Sequence, residues 1–186
     1  MTPTVQKNRS EARAIMQKLG YGPENRLALK VSTRNVPPFR DPAVILIDQL
    51  KQIYIDGVLD PLDTTQWYPK LMRKDYTVGL NVTETAVDDP DPAFYENYVC
   101  GAQRNYSGYC NAEVDKMVDA QSAMSDVEKR KRMVWAIEQK IADDDARPIL
   151  FYTRVANCRY SKVKGLITQV NSIYNGQRVE DLWLDH

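Results

Sequence analysis

The sequence predicts an α/β fold in which a mixed β-sheet is flanked by helices, and three observations lead to this class. Segments in which apolar and polar residues alternate, as in strands, recur between segments with helical apolar spacing. The 186 residues include 43% hydrophobic and 27% charged residues, which suits one ordinary soluble domain. No internal repeat, low-complexity segment or linker divides the chain. We therefore expect residues 1–186 to form a single domain.

The first half of the chain alternates helix and strand. Residues 10–19 have helical spacing, with Ile15, Met16 and Leu19 on one side, and residues 26–33 alternate as a half-buried strand. Asp41 as N-cap and Pro42 in the first turn predict a second helix that ends before Gly57. Three further elements are expected in this half: a strand at 57–65 that Pro61 restricts to a sheet edge, a short helix at 65–74 interrupted at Pro69, and a strand at 76–82.

The second half is predicted to be more helical. A short helix is expected at 94–98, with Asp91 as the N-cap of a start at Pro92. Asn111 is expected to cap the next helix. The buried face of that helix is expected to contain Val114, Met117, Val118 and Gln121. Ser125 and Glu128 predict a capping box before a long helix whose inward residues are Val127, Val134, Ile137 and Ile141. A strand is expected at 148–155, and an irregular extension at 156–186.

Charge and hydropathy exclude several classes of partner. The 25 basic residues balance 25 acidic ones, so the chain lacks the basic footprint that nucleic acids require. No stretch approaches the length of about 20 apolar residues that a membrane span needs, so we expect no membrane insertion. Residues 1–13 lack the apolar core of a secretory signal, so no targeting segment is expected within the chain.

Most routes to catalysis lack their residues. The one histidine is His186, which disfavours Ser-His-Asp and Cys-His pairs and multi-histidine metal sites. The eight glycines form no phosphate-binding loop, and we expect neither a metal nor a cofactor. Adjacent carboxylates occur at Asp88 and Asp89 and at 143–145, so a carboxylate-dependent hydrolase is kept as the alternative to a protein without catalytic activity.

Two cysteines enclose a polar segment, "CGAQRNYSGYCN" at 100–111. Zinc knuckles space their ligands more closely and need four of them, whereas Cys100 and Cys110 are ten residues apart and only Cys158 remains. The residues leave two interpretations, a disulfide and a pair of buried thiols. The enclosed loop is too polar for a core segment and carries groups suited to recognition, which favours a bond that pins it.

Several segments, taken in order, resemble a known family. These include "KLGYG", "LALKVSTRN", "YCNAEVDKMVDAQ" and an arginine-containing helix followed by "RPILFY". The order and spacing of the last two are peculiar to the extracytoplasmic solute-binding proteins of ABC transporters, family 5, the dipeptide, oligopeptide and nickel type. The chain resembles their C-terminal part over nearly its whole length.

The resemblance implies a role and a location. The fold would be the second lobe of a type II, cluster C-like periplasmic binding protein, which binds a solute in a cleft between two lobes. Its partners would be a peptide or other small ligand, an N-terminal lobe of the same protein and an ABC permease. A periplasmic location would allow disulfides, which favours a Cys100–Cys110 bond and leaves Cys158 free or paired in the other lobe. A sensor or protein-interaction module on the same fold is a further alternative.

One departure from the family pattern concerns the ligand. Family members that capture a peptide's α-amine resemble one another in an aspartate three residues before the acidic residue of a [DE]P pair. Here the pair is Asp89-Pro90, so Ala86 holds that position and supplies no counter-charge. Glu84 or Asp88 could substitute if the register shifts, and a ligand other than an unmodified linear peptide is expected.

Loops that follow the strands of an α/β sheet are where ligands usually bind. The segments 33–39 and 83–89 and the loop between the cysteines are therefore the candidate binding surfaces. For their arginines and tyrosines, solvent exposure or packing is the plainer interpretation, and Trp67 is expected in the core. The candidate ligand-binding residues are Arg34, Asn35, Glu84, Ala86, Asp88, Arg104, Asn105, Tyr106 and Tyr109.

Overall fold

The structure is a computed structural model that describes residues 2–83, 87–152, 156–167 and 178–185. The chain divides into two compact units, Met1–Thr83 and Glu84–His186, and each is described by itself. The expectation of a single domain stays a prediction.

The first unit contains a parallel three-stranded sheet with helices. The central strand is β1 (Leu27–Arg34), which lies between β2 (Ile55–Leu62) and β3 (Val78–Leu80). Strand β1 pairs with β2 from Leu27↔Ile55 to Arg34↔Leu62. Since the strands are parallel, their carboxyl ends meet at one edge of the sheet. The elements are α1 (Pro3–Lys18), β1 (Leu27–Arg34), α2 (Pro37–Leu50), β2 (Ile55–Leu62), α3 (Thr64–Met72) and β3 (Val78–Leu80), with a 3₁₀ turn at Lys51–Ile53.

The core of this unit lies where α2 packs on the sheet. Val31, Ala43 and Leu80 are buried there among partly buried aliphatic residues. A Cβ on Gly57 of β2 would come within 2.9 Å of Ile47 Cγ1, so glycine permits the close approach of α2 to the strand. The predicted alternation in β1 is confirmed from Leu27 to Val31, whereas Ser32 and Thr33 are both buried. The edge position of β2, with its Pro61, is confirmed.

The helices of the first unit differ from their predicted bounds. Helix α1 begins at Pro3, and of its three expected inward residues only Met16 is buried, whereas Ile15 and Leu19 are 57% and 66% exposed. Helix α2 begins at Pro37 after the N-cap Val36, so Asp41 does not cap it. A proline at the first helical position is already in helical geometry, which explains the earlier start.

Two prolines lie inside helices that the sequence predicted to start or break there. Pro42 lies within α2, and Pro69 lies within α3, which continues to Met72. Each proline is the sixth residue of its helix, so it removes one backbone hydrogen bond near the N-terminal end. In α3, the burial of Trp67 and Leu71 offsets the loss of the hydrogen bond at Pro69.

The second unit is mainly helical. Its core is formed by Phe94, Val114, Val118, Ile137 and Ile141. The expected buried face of the helix after Asn111 is confirmed, and Asn111 accepts a hydrogen bond from the Glu113 backbone N–H as its cap. The elements are α4 (Pro90–Asn97), α5 (Ala112–Ser122), α6 (Val127–Asp143), β4 (Val163–Lys164) and β5 (Trp183–Leu184), with a 3₁₀ turn at Val179–Asp181.

Four predictions about α6 and the segments after it are corrected. Asp126, not Ser125, caps α6 by accepting from the Lys129 N–H. Val127, which was expected to face inward, is the first residue of α6 and is 65% exposed. Residues 148–152 are exposed and form no strand, because no described strand pairs with them; residues 153–155 of that prediction lie outside the described residues. The C-terminal region expected to be irregular contains the antiparallel pair β4–β5.

Candidate functional site

The loop between the two cysteines is closed by a disulfide. Cys100 and Cys110 are bonded, with their Cα atoms 4.5 Å apart, as the polarity of the loop and the family resemblance predicted. The loop lies between α4 and α5, and the Cys100 backbone N–H donates to Asp115 Oδ1 on α5 at 3.1 Å. The segment is thus attached to the helical core at its first cysteine as well as through the bond.

Asn105 faces the interior of this loop. Its side chain is 2% exposed, and its Nδ2 donates to the carbonyl oxygens of Val99 at 3.1 Å and Tyr109 at 2.6 Å. Ser107 Oγ donates to Asn105 Oδ1 at 3.3 Å. The Asn105 amide therefore forms hydrogen bonds within the loop, and its expected contact with a ligand stays a prediction.

Tyr109 connects the loop to the end of α6. Its hydroxyl donates to Asp144 Oδ2 at 2.6 Å, and Asn111 Nδ2 donates to the same oxygen at 2.9 Å. Burial, together with the carboxylate of Asp144, raises the pKa of Tyr109 to about 12. The ring is partly buried and packs against the hydrophobic core of the unit, and contact of Tyr109 with a ligand stays a prediction.

Arg104 and Tyr106 lie on either side of Asn105. Arg104 Nη1 forms an ion pair with Glu96 Oε2 at 2.9 Å, and both side chains are about half exposed. The Tyr106 N–H donates to the Arg104 carbonyl at 2.8 Å, and the tyrosine is half-buried. Both therefore remain accessible from solvent on a loop whose backbone is held.

The carboxyl edge of the parallel sheet presents a second cationic group. The Arg34 guanidinium carbon lies 4.7 Å from the ring centroid of Phe39 and 5.5 Å from that of Tyr68. Its Nε and Nη2 donate to Thr64 Oγ1 at 3.2 and 2.9 Å. These ring and hydroxyl contacts orient the guanidinium at the end of β1.

Of the remaining candidate ligand-binding residues, the structure describes Asn35 and Asp88. The Asn35 backbone N–H donates to the Leu62 carbonyl at 2.8 Å, and its exposed side chain receives only a 3.5 Å contact from Arg40 Nη1. Asp88 is exposed and comes just before α4. Glu84 and Ala86 lie outside the described residues, so the substitution of alanine for the amine-binding aspartate stays a prediction.

A polar network at the start of α4 was missed by sequence reasoning. Asp89, not Asp91, is the N-cap, and its two carboxylate oxygens receive Arg130 Nη1 and Nη2 at 2.7 and 2.6 Å. Arg130 Nε donates to Gln121 Oε1 at 3.1 Å, and Gln121 Nε2 donates to Asp91. A signal existed: Gln121 is a polar residue on an otherwise apolar helix face, and a buried amide needs partners.

The network changes the protonation behaviour of the capping aspartate. The Arg130 guanidinium lowers the pKa of Asp89, and the hydrogen bond from the Asp91 N–H adds to this. Arg130 in turn has a raised pKa because it donates to Asp89. The segment that leads from 87–89 into α4 is thereby fixed to α5 and α6.

Neither a metal site nor a membrane span is found in the parts of the chain that the structure describes. Across residues 2–83, 87–152, 156–167 and 178–185, His, Cys, Asp and Glu nowhere gather in a group that could hold a metal ion. None of the described helices is both long and apolar enough to cross a bilayer.

Solved structures of transport proteins share this fold. OppA of Burkholderia pseudomallei aligns with a TM-score of 0.77, at 16% identity, over 97% of this chain and 35% of that chain. DppA of Helicobacter pylori, in complex with the peptide STSA, aligns with a TM-score of 0.71, at 18% identity, over 95% and 34%. The ABC transporter substrate-binding protein CtaP of Listeria monocytogenes aligns with a TM-score of 0.61, at 25% identity, over 73% and 28%.

These matches confirm the α/β fold that the sequence resemblance implied. The chain spans about a third of the length of the solute-binding proteins it matches. No protein-family model and no curated protein matches the sequence.

The three cysteines should differ in reactivity. Cys158 is exposed and unbonded, whereas Cys100 and Cys110 are bonded to each other. We expect iodoacetamide to label Cys158 alone in the folded protein without reductant, and all three after reduction and unfolding, as counted by mass spectrometry. Labelling of Cys100 or Cys110 in the unreduced protein would contradict the bond.

Proposed function

We propose that the chain is a ligand-binding lobe of an extracytoplasmic solute-binding protein that delivers a peptide or peptide-like solute to an ABC permease. The observation that carries this is the shared fold with DppA and OppA over at least 95% of the chain. A ligand would be enclosed when a second lobe, supplied by the rest of the protein, closes over the ligand-binding surface of this chain in the periplasm.

Two rigid surfaces support binding rather than catalysis. Arg34 is oriented by two aromatic rings and Thr64, and the stapled loop (residues 100–110) is held by its disulfide and by Asn105. Side chains that are ordered beforehand lose less entropy when a ligand binds. In this proposal the first unit contributes Arg34 as a group for anionic or carbonyl oxygens. The second unit contributes Arg104 for the same kind of oxygen and Tyr106 for an apolar group.

One carboxylate in each group of adjacent acidic residues is engaged in structural contacts. Asp89 caps α4 and is bound by Arg130, and Asp144 accepts from Tyr109 and Asn111. The hydrogen bond from Arg130 lowers the pKa of Asp89, and the hydrogen bond from Tyr109 lowers the pKa of Asp144. Both carboxylates therefore stay ionised and are unsuited to proton transfer at neutral pH. The proposal therefore assigns no catalytic residue.

The ligand is proposed to be something other than an unmodified linear peptide. This follows from Ala86 at the position where related proteins resemble one another in carrying an aspartate for the α-amine. A buried ammonium without a counter-charge is costly, so an N-blocked peptide, a sugar-containing solute or an opine-like conjugate fits the position better. Asn35, Glu84 and Asp88 remain proposed neighbours of the ligand.

The test uses the full-length protein that contains this chain, with trialanine and N-acetyl-trialanine as probes in calorimetry. We expect N-acetyl-trialanine to bind more tightly than trialanine, and the isolated chain to bind either with a Kd weaker than about 0.1 mM, because half a cleft leaves the ligand hydrated. Arg34→Ala should weaken binding by about 10- to 100-fold. Arg73→Ala, an exposed arginine at the end of α3, is the matched control.

The outcomes separate the parts of the proposal. Tight binding of trialanine, unchanged by Ala86→Asp, would show that the amine position is misplaced while the binding role holds. Turnover of either probe would replace the binding role with the hydrolase alternative. Equal loss of affinity in Arg34→Ala and Arg73→Ala would remove Arg34 from the site.

A further inference from the structure

Asn105 joins the same two segments of chain that the disulfide joins. Its Nδ2 donates to the carbonyls of Val99 and Tyr109, the residues immediately before Cys100 and Cys110. Both acceptors are therefore held by one amide group next to the two cysteines. The loop has two cross-links at its base, one covalent and one formed by hydrogen bonds.

The backbone of Asn105 also organises the tip of the loop. Its N–H donates to the Ala102 carbonyl at 3.0 Å, and its carbonyl accepts from the Gly108 N–H at 3.2 Å. Gly108 has a φ of 74°, a left-handed conformation that suits glycine in the second turn. The turns on both sides of Asn105 thus depend on where this buried residue lies.

Asparagine suits this position because of its donors and its length. Aspartate has no donor for the two carbonyls and would place negative charge beside them, and alanine would leave both carbonyls without this partner. Glutamine has one more methylene, which the closed loop has to accommodate. Two further hydrogen bonds stabilise this conformation of the loop. Ser107 Oγ donates to Asn105 Oδ1, and the Tyr109 hydroxyl donates to Asp144.

We propose that Asn105 is the positioning residue of the stapled loop, which orders residues 101–108 independently of the disulfide and so presents Arg104 and Tyr106 in a fixed orientation before a ligand binds. The ordering stands on the contacts of Asn105 alone. The statement that Arg104 and Tyr106 face a ligand rests on the proposed function.

The ordering is tested on this chain without ligand, by amide hydrogen exchange in NMR. In the wild-type protein reduced with a phosphine, the Asn105 and Gly108 amides should keep their protection within about threefold, because the hydrogen bonds of Asn105 remain. In Asn105→Ala and Asn105→Asp, with the disulfide intact, their protection should fall by about tenfold or more. Gln103→Ala is the matched control, because it deletes the side-chain amide of an exposed residue in the same loop.

Two readouts distinguish this role from general destabilisation. The amides of Val114 and Val118 on α5 should keep their protection in every variant, because only the loop is affected. Dithiothreitol should reduce the Cys100–Cys110 bond about tenfold more readily in Asn105→Ala than in Gln103→Ala. The reason is that the Asn105 amide no longer joins the two segments that carry the cysteines. Loop protection that survives in Asn105→Ala, or that disappears on reduction of the wild type, would overturn the proposal.

The statement that Arg104 and Tyr106 face a ligand is tested separately, by binding of N-acetyl-trialanine to the full-length protein. Asn105→Ala should weaken binding by about tenfold, while Cys100→Ser with Cys110→Ser should change it by no more than about threefold. If the loop amides behave as expected but affinity is unchanged, the ordering role stands and the placement of Arg104 and Tyr106 at the ligand is overturned. If the wild type binds neither trialanine nor N-acetyl-trialanine, the proposed binding of a peptide or peptide-like solute fails and the exchange result is unaffected.

Discussion

Replacing Trp67 with alanine is expected to destabilise the protein by about 3–5 kcal/mol, the largest effect of any single substitution considered for this chain. The side chain is fully buried on α3, its ring centroid lies 6.5 Å from that of Tyr76, and its Nε1 donates to Asn81 Oδ1 at 3.3 Å. Alanine would leave a cavity of indole size and remove the donor to Asn81. Urea unfolding followed by circular dichroism measures the change in the free energy of unfolding.

Two variants separate cavity formation from other effects. Trp135→Ala removes a tryptophan that is 62% exposed on α6, and we expect a change of no more than about 0.5 kcal/mol. Trp67→Phe keeps part of the volume and should fall between the two alanine variants. Since Trp135 and Trp183 are both exposed, the blue-shifted fluorescence of the folded protein should come from Trp67 and be absent in Trp67→Ala. A similar loss of stability in both alanine variants would contradict the burial of Trp67.

Replacing Arg130 with alanine is expected to lower the free energy of unfolding by about 2–3 kcal/mol. The substitution removes two charge-assisted hydrogen bonds to Asp89 and one to the fully buried Gln121. The cap of α4 would lose the group that orients it, and the Gln121 carbonyl would lose its donor. Lys131→Ala is the matched control, because the next residue of the same helix has only a surface ion pair with Glu128, and it should change stability by no more than about 0.5 kcal/mol.

The Arg130 effect should depend on pH in a defined direction. Arg130 lowers the pKa of Asp89 in the folded protein, so this carboxylate contributes stability above the ordinary aspartate pKa of about 4. That contribution is lost as the pH falls through the lower folded-state pKa. The difference in stability between wild type and Arg130→Ala should therefore be largest near neutral pH and become smaller below about pH 4, as measured by urea unfolding. A difference that stays constant down to pH 2 would show that the ion pair with Asp89 does not carry the effect.

The elements predicted correctly from the sequence are those whose signal lies within a few residues. The alternation of Leu27, Leu29 and Val31 predicted β1, and Asn111 followed by an apolar stripe predicted the cap and the buried face of α5. Local hydrogen bonds and side-chain periodicity produce both signals, so neighbouring residues are enough to interpret them. The Cys100–Cys110 bond was predicted from the polarity of the loop together with the family resemblance.

The predictions that were wrong or incomplete concerned partners distant in sequence. Residues 148–152 have the composition of a strand, but a strand needs a neighbour to pair with, and none of the described strands supplies one. Asn105 was expected to contact ligand because its loop is polar and carries groups suited to recognition. The structure shows it buried and bonded to both ends of its loop, and contact with a ligand stays a prediction. Pro42 and Pro69 were treated as helix boundaries because packing, which keeps their helices intact, is invisible in the local pattern.

The sequence by itself determined the α/β class, the first three strands along the chain, the cap of α5 and the loop that the disulfide closes. Only the tertiary structure decided that Asp89 meets Arg130, 41 residues away, and that Asn105 points inward while Arg104 and Tyr106 remain accessible. The physical reason is that short-range preferences act between residues already adjacent in the chain. Burial and long-range hydrogen bonds, in contrast, depend on which surfaces meet when the chain folds, because a polar group is stable inside the protein only where a partner reaches it.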